Sequence, residues 1–252
     1  MPELPEVETV RRGLAPYMEG RIIRSVKLAR ADLRFPFPPD FEAQLTGARI
    51  ESVTRRAKYL LAHIRPVAAP EHLWLSHLGM TGRFEVHSCE ARAPDQLANY
   101  KHALADAVAQ KHVHVSLDLD DGTHITYADP RRFGFMDLTP ASAPSRFLAD
   151  LGPEPMGNAF NADYFLAACA GRQSPVKAVL LDQKTIAGLG NIYVCEALFR
   201  AGISPRRKAA NLGRVRVARL IPAIRDVLGE AIAAGGSSLR DFADSDGKQG
   251  YF

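Results

Sequence analysis

The 252-residue sequence contains few cysteines, and it lacks long hydrophobic runs. Cys89, Cys169 and Cys195 are odd in number and widely spaced, which excludes a disulfide framework and a CxxC metal clip. Few, widely spaced cysteines are typical of proteins in a reducing cytoplasm, where we expect the protein to be located. No apolar run approaches the ~18 residues that a membrane span needs, and the charged N-terminus does not resemble a signal peptide. We therefore expect no membrane partner.

The net charge is only +4, but its distribution is uneven. Residues 1–150 carry 19 basic and 19 acidic side chains, whereas residues 151–252 carry 13 basic and 9 acidic ones. Arginine outnumbers lysine by 24 to 8, and arginine suits bidentate contacts with phosphate. The charge therefore favours a polyanionic partner, although a basic enzyme of small-molecule metabolism fits it equally well.

The order of predicted elements indicates an α+β protein. Residues 5–19 have a helical pattern, and about eight short β-type runs follow, including the alternating segment 112–119 and its Asp121-Gly122 turn. One helix and these strands predict an antiparallel β-sandwich. Residues 140–160 have the Pro, Gly, Ser and Ala content of a linker. The later segments read as helices, at 162–170, 175–183, 191–201 and 212–234.

The N-terminal segment, Met1-Pro2-Glu3-Leu4-Pro5-Glu6, has two interpretations. Proline and acidic residues favour the start of a helix, so capping alone explains the pattern. Alternatively, removal of Met1 leaves Pro2 as an N-terminal secondary amine, whose pKa near ~8 falls further beside a helix N-terminus. Such an amine is a Schiff-base nucleophile, and Glu3 and Glu6 could then move protons.

Four further segments could carry chemistry, and each also has a structural explanation. The cations of Arg55–Leu61 could bind phosphates or line a strand edge. Met80, in His77–Gly82, could be exposed at a glycine turn or belong to the core. Asp129–Gly134 offers arginines and an aromatic ring for a wedge into a base stack, or forms a simple hairpin tip. The glycine-rich turn of Ala187–Tyr193 precedes a helix and suits an anion.

In this order, the motifs resemble the formamidopyrimidine-DNA glycosylase family along the whole chain. The matching blocks are MPELPEVETVRRGL, RRAKYLL, HLGMTG, DPRRFG, LGPEP, GLGNIY, EALFRAGI and SDGKQGYF. The resemblance implies a DNA repair enzyme that removes oxidised purines and nicks the strand by β,δ-elimination. Two alternatives are an endonuclease VIII-like enzyme for oxidised pyrimidines and a non-catalytic nucleic-acid-binding protein. The latter predicts that Met1 is retained.

The resemblance also assigns roles to individual residues. It implies that processed Pro2 attacks C1′ of the damaged nucleotide, that Glu3 transfers protons and that Glu6 organises the pocket. Phosphate ligands would be Lys58, which we also count with the catalytic residues, and His77, Arg131 and Asn191. The void left by the everted nucleotide would be filled by Met80, Arg131 and Phe133.

The implied organisation is a catalytic sandwich at 1–140, a linker at 141–160 and a helix–two-turn–helix domain at 161–252. A loop at about 235–250 would close over the everted base, whereas Ala93–Gln110 reads as a short helix or disordered excursion without an assigned function. The expected partner is double-stranded DNA with an oxidised base or abasic site, bound by a monomer. The family continues into a four-cysteine zinc finger; residues 1–252 hold no zinc ligands, so we expect zinc only in a longer chain.

Overall fold

The computed structural model describes residues 2–67, 69–87, 111–143 and 145–237. The 93–110 excursion and most of the 235–250 loop therefore lie outside the described residues. The helices are α1 (Leu4–Met18), α2 (Phe41–Leu45), α3 (Ala162–Cys169), α4 (Val176–Leu181), α5 (Asn191–Arg200) and α6 (Arg214–Ala233), with a 3-10 turn at Ala209–Asn211. The strands are β1 (Ile23–Leu28), β2 (Arg49–Arg56), β3 (Tyr59–Arg65), β4 (His72–His77), β5 (Arg83–His87), β6 (Val113–Leu119), β7 (His124–Ala128) and β8 (Phe135–Pro140).

Helix α1 forms where its local chemistry predicts a helix. Glu3 is the N-cap, Pro5 occupies the first turn, and the Glu6 side chain accepts the Glu3 N–H as in a capping box. Apolar side chains at three- and four-residue spacing are buried, and Gly20 follows the helix with a φ of 80°. The helix packs against both β2 and α6, so it connects the strand-rich and helical parts of the chain.

The strands form two four-stranded antiparallel sheets with the orders β1-β6-β7-β5 and β2-β3-β4-β8. The predicted α+β class and the sandwich are confirmed. One hydrophobic core joins α1 to both sheets and contains Trp74 and Tyr127, both at most 2% exposed. A second core lies among α3 to α6. The separate cores follow from the change in periodicity after residue 160.

Two neighbouring loops connect the two sheets. The loop at 78–82 leaves β4 and enters β5 in the other sheet, and the loop at 129–134 returns from β7 to β8. The residues that flank the loops pair within each sheet, His77 with Phe135 in one sheet and Arg83 with Ala128 in the other. The fold thus brings together two segments that lie about fifty positions apart in the sequence.

The segment between β8 and α3 is bound to the sandwich by an ion-pair cluster. Glu154 accepts hydrogen bonds from Arg55 at 2.9 Å, Arg56 at 2.8 Å and the Ala57 N–H at 2.6 Å. Although burial opposes ionisation, these arginines lower the pKa of Glu154. Arg55 and Arg56 are therefore engaged within the chain, by a carboxylate that lies about a hundred positions away.

None of the helices in the described part of the chain combines the length and apolarity that crossing a membrane requires.

Candidate active site

The candidate site lies at the N-terminal end of α1. Pro2 and Glu3 are buried, and the Glu3 N–H donates to Glu6 Oε2 at 2.8 Å. The capping interpretation is correct in geometry, yet it does not account for the Glu3 carboxylate. Glu3 Oε2 is buried and lacks a hydrogen-bond partner among the described residues. Since a buried carboxylate oxygen normally has a donor, this atom is available to a ligand.

The glycine-rich turn before α5 packs directly on this end of α1. The Leu4 N–H donates to the Gly188 carbonyl at 3.2 Å, and the Ile192 N–H donates to Glu3 Oε1 at 3.1 Å. A Cβ at Gly188 would collide with Leu4, and a Cβ at Gly190 would overlap the Glu3 carboxyl group. The two glycines therefore permit a close approach of α5 to the N-terminus.

Electrostatics in this site favour proton exchange. Burial raises the pKa of Glu3, while the Lys58 ammonium and the Ile192 N–H oppose this rise. Burial also lowers the pKa of Lys58, opposed by Glu3 and Glu6. Lys58 is 7% exposed and follows Ala57, whose φ of 52° turns the chain between β2 and β3. A buried acid and a buried base thus lie in one electrostatic environment, which is typical of sites that transfer protons.

Glu6 is fully buried and is held by two residues that sequence reasoning missed. The Tyr193 hydroxyl donates to Glu6 Oε1, and Ser237 donates to the same oxygen through its N–H at 2.8 Å and its hydroxyl at 2.9 Å. Burial raises the pKa of Tyr193 far above its usual value, so its hydroxyl remains a donor. Tyr193 stood within the recognised GLGNIY block, which was the only available signal for it. Glu6 therefore connects α1, α5 and the segment that follows α6.

His77 ends strand β4 beside Lys58. Its ring stacks on Phe135 at a centroid distance of 5.1 Å, and its Nδ1 accepts the Gly79 N–H at 3.1 Å. Burial lowers the pKa of His77 to about 4, and the cations Lys58 and Arg34 contribute to this shift. The neutral ring therefore carries its proton on Nε2, which leaves a donor that is independent of pH near neutrality.

We expect the His77 ring to titrate near pH 4 in an NMR experiment, with its signals identified by loss in His77→Gln. Because unfolding restores an ordinary pKa near ~6.5, the unfolded chain binds the extra proton first. The contribution of His77 to the free energy of unfolding is therefore complete above pH ~6.5 and is lost as the pH falls towards 4. A ring that titrates at its ordinary pKa would contradict the buried neutral state.

The side chains predicted to fill a void lie on the two loops between the sheets. Met80 is half-buried, whereas Arg131 and Phe133 are exposed. The Arg131 guanidinium lies 4.7 Å from the centre of the Phe133 ring, a cation–π contact. Asn191 is also exposed, at the first position of α5. Met80, Arg131 and Phe133 thus lie on the two loops between the sheets, whereas Asn191 lies at the glycine-rich turn.

The described residues do not fit a metal centre. They contain no cluster of three or more His, Cys, Asp or Glu side chains that could hold an ion. Cys169 is buried, Cys195 is exposed, and both are free. The sequence has three cysteines in all, fewer than the implied four-cysteine finger requires.

Two family models match most of the chain. Residues 1–136 match the formamidopyrimidine-DNA glycosylase N-terminal domain, and residues 151–243 match the formamidopyrimidine-DNA glycosylase H2TH domain. The two matches divide the chain between the strand-rich part and the helical part.

Individual relatives agree with these models. The formamidopyrimidine-DNA glycosylases of Ruegeria pomeroyi and Jannaschia sp. are 55% and 53% identical to this chain, and each alignment covers 100% of the chain and 86% of the relative. The crystal structure of MutM (Fpg) from Thermus thermophilus is 37% identical, with a TM-score of 0.79 over 99% of this chain and 84% of that one. The structure of Lactococcus lactis Fpg (MutM) in complex with N7-benzyl-Fapy-dG DNA is 32% identical. Its TM-score is 0.80, over 98% of this chain and 85% of that one. The chain therefore belongs to the formamidopyrimidine-DNA glycosylase family.

Proposed function

We propose that this chain removes oxidised purines, 8-oxoguanine and formamidopyrimidines, from double-stranded DNA and then nicks the strand. As a member of its family, the chain is a base-excision repair DNA glycosylase with AP lyase activity. The observation that best supports the detailed proposal is the buried Pro2–Glu3 pair, enclosed by the glycine-rich turn and Lys58. The relative from Lactococcus lactis has been solved with Fapy-dG DNA and with abasic-site DNA, which agrees with both parts of the reaction.

The proposed nucleophile is the secondary amine of Pro2 after removal of Met1. Its lone pair attacks C1′ of the damaged nucleotide, the glycosidic bond breaks, and the base leaves with the bonding electrons. The proline nitrogen loses its proton, and the sugar ring opens as the covalent iminium ion (a cationic Schiff base) forms. Loss of a C2′ proton then allows elimination of the phosphate on the 3′ side, and a second elimination releases the 5′ side, which leaves a one-nucleotide gap.

Glu3 is the proposed proton-transfer group. Its raised pKa keeps a larger protonated fraction near neutrality than an exposed glutamate has, and its free Oε2 can face a reacting group. Glu6 does not share this role in our proposal, because Tyr193 and Ser237 occupy its Oε1. Glu6 instead holds α1, α5 and the segment after α6 together around the pocket. Lys58 supplies positive charge beside Glu3 and contacts a phosphate of the bound strand.

Three further polar side chains are the proposed DNA contacts. We assign phosphate contacts to His77, through its neutral Nε2–H, to Arg131 and to Asn191 at the N-terminus of α5. The target atom of a stacked base cannot be reached, so the nucleotide must leave the helix and the void must be filled. Met80, Arg131 and Phe133 are the proposed wedge.

The wedge can be tested with the variant Met80→Ala/Arg131→Ala/Phe133→Ala. We expect it to lose at least about tenfold more excision rate on an 8-oxoguanine duplex than cleavage rate on a preformed abasic site. Unstacking costs a few kcal/mol per step, and an abasic nucleotide has already lost part of its stacking. Arg132→Ala is the matched control, since Arg132 is exposed in the same loop. Equal losses on both substrates would contradict the wedge.

The proposal also covers the domain organisation, the oligomeric state and the location of the protein. We infer a catalytic domain at 1–140, a linker at 141–160, a helix–two-turn–helix domain at 161–252 and a base-capping loop at about 235–250. The basic excess of residues 151–252 supports a DNA-facing helical part. We further propose a monomer that acts in the bacterial cytoplasm, with zinc confined to a finger outside these residues.

A comparison of lesions tests the substrate proposal. Duplexes that differ only in the lesion, 8-oxoguanine, a formamidopyrimidine or thymine glycol, should be incubated with the protein under single-turnover conditions. We expect the two purine lesions to be excised at least about tenfold faster than thymine glycol, which a single favourable or missing contact can produce. Faster excision of thymine glycol would favour an endonuclease VIII-like enzyme, and binding without excision would favour a non-catalytic protein.

A further inference from the structure

The loops at 78–82 and 129–134, which carry the proposed wedge residues and are called the first and second loop here, are linked through a buried aspartate. Asp129, at the start of the second loop, is 0% exposed. Its Oδ1 accepts the Thr81 hydroxyl of the first loop at 2.5 Å, and its Oδ2 accepts the Gly134 N–H at 2.8 Å. The same carboxyl group therefore binds the first loop and both ends of the second.

Thr81 completes the link from the other side. Its hydroxyl oxygen accepts the Arg131 N–H at 3.1 Å while its proton is donated to Asp129. The hydroxyl therefore lies between the carboxyl group and the backbone of a proposed wedge residue. Neither Thr81 nor Asp129 has a part in the chemistry assigned to Pro2, Glu3 and Lys58.

The backbone around this pair is tightly constrained. A Cβ at Gly79 would overlap Phe133 and Gly134 of the other loop, and a Cβ at Gly134 would overlap the Tyr127 hydroxyl. Arg132 has a φ of 56°, a left-handed conformation that a non-glycine residue adopts only when its surroundings enforce it. The Tyr127 hydroxyl also reaches Asp129 Oδ2 at 3.5 Å, and burial keeps the pKa of Tyr127 well above its usual value.

We propose that Thr81 and Asp129 form a latch that holds Met80 and the Arg131–Phe133 pair in one fixed arrangement, so that they enter the base stack together. The inference rests on the wedge role in the proposed function. Thr81 and Asp129 are positioning residues, because they act through the loops and contact no reacting atom. A wedge whose halves move independently would have to order them during eversion, and this would slow base excision selectively.

Thr81→Val tests the latch, because valine keeps the branched shape and removes both hydrogen bonds. We expect single-turnover excision of 8-oxoguanine from a duplex to fall about tenfold, as loss of bonds to a buried carboxyl group predicts. Cleavage of a preformed abasic site should stay within about twofold. In stopped flow, 2-aminopurine beside the lesion should report slower unstacking. Thr81→Ser keeps the hydroxyl and should restore both signals.

Controls separate positioning from simple stability. Thr46→Val makes the same change at a remote hydroxyl that donates to the Glu42 carbonyl, and it should behave as wild type. Asp129→Asn provides a second route, since an amide cannot accept from Thr81 and Gly134 on both of its polar atoms. It should give the same selective loss if Thr81→Val does not fold.

The outcomes distinguish the latch from the wedge itself. Equal losses on both substrates, or wild-type rates on both, in folded Thr81→Val would overturn the latch. If the triple alanine variant loses duplex selectivity and Thr81→Val does not, the wedge stands and the latch is wrong. If the triple variant shows no selectivity, the wedge and the latch are both wrong, while Pro2 chemistry remains testable separately.

Discussion

Glu3→Gln should bind lesion-containing duplex with nearly normal affinity and release the damaged base 10²- to 10⁴-fold more slowly, the range for general acid–base catalysis. Glutamine keeps the oxygen that can accept the Ile192 N–H at the Oε1 position, so the packing of the glycine-rich turn is preserved. It loses the ionisable group, and with it any proton transfer. The effect should therefore appear in the excision rate and scarcely in the dissociation constant.

Glu8→Gln is a suitable control for this experiment. Glu8 lies on the same helix and pairs with Arg11 and Arg12 at 2.9 Å, away from Glu3. These ion pairs are partly buried and extend to Arg55 at 3.4 Å, but they do not include Glu3, so the loss of the Glu8 charge should leave excision within a few-fold of wild type. Normal excision by Glu3→Gln, or a loss confined to binding, would remove Glu3 from the chemistry.

Blocking the Pro2 nitrogen should abolish both base excision and strand cleavage. A chain with an additional, unremoved residue before Pro2 has an amide at this position, whose nitrogen lone pair is delocalised and cannot attack C1′. Since Pro2 is buried, a rescue experiment is needed to separate loss of the amine from distortion of the site. Proteolytic removal of that residue from the folded protein should restore activity to the level of the unblocked chain.

Intact mass spectrometry shows whether activity follows the chain that begins at Pro2 or the chain with a residue before it. The active fraction should match the mass that begins at Pro2, and the fraction with a residue before Pro2 should carry no activity. Activity that follows the blocked mass would show that another group is the nucleophile. The non-catalytic alternative predicts that neither fraction excises the base.

The sequence predicted those parts of the fold that depend on local chemistry. The capping residues and the apolar face of α1 determined its position to within one residue at each end. The alternation at 112–119 and the Asp121-Gly122 turn correctly predicted strand β6 and the turn that follows it. Strand β8 was missed, because it is a short edge strand that ends in Pro140, and proline at a sheet edge resembles a linker. Helix α2 has five residues, too few to show a helical period.

Contacts in the site between residues far apart in the sequence could not be predicted from the sequence. Glu6 is held by Ser237, 231 positions away, and Arg55 is engaged by Glu154, 99 positions away. No spacing rule joins such residues, and the second pair explains why Arg55 is engaged within the chain. Asp129 stood in a recognised motif, but its function as a link became visible only when the sheet order placed two loops side by side.

We propose that the Pro2 nitrogen is the atom that joins DNA during the reaction. The most direct test is borohydride reduction of the protein during turnover of an 8-oxoguanine duplex, followed by proteolysis and mass spectrometry of the trapped adduct. We predict one stoichiometric adduct, on the peptide that begins at Pro2, with the reduced sugar on its terminal nitrogen. An adduct on Lys58 or any other residue, or no adduct from a preparation that excises the base, would contradict the account.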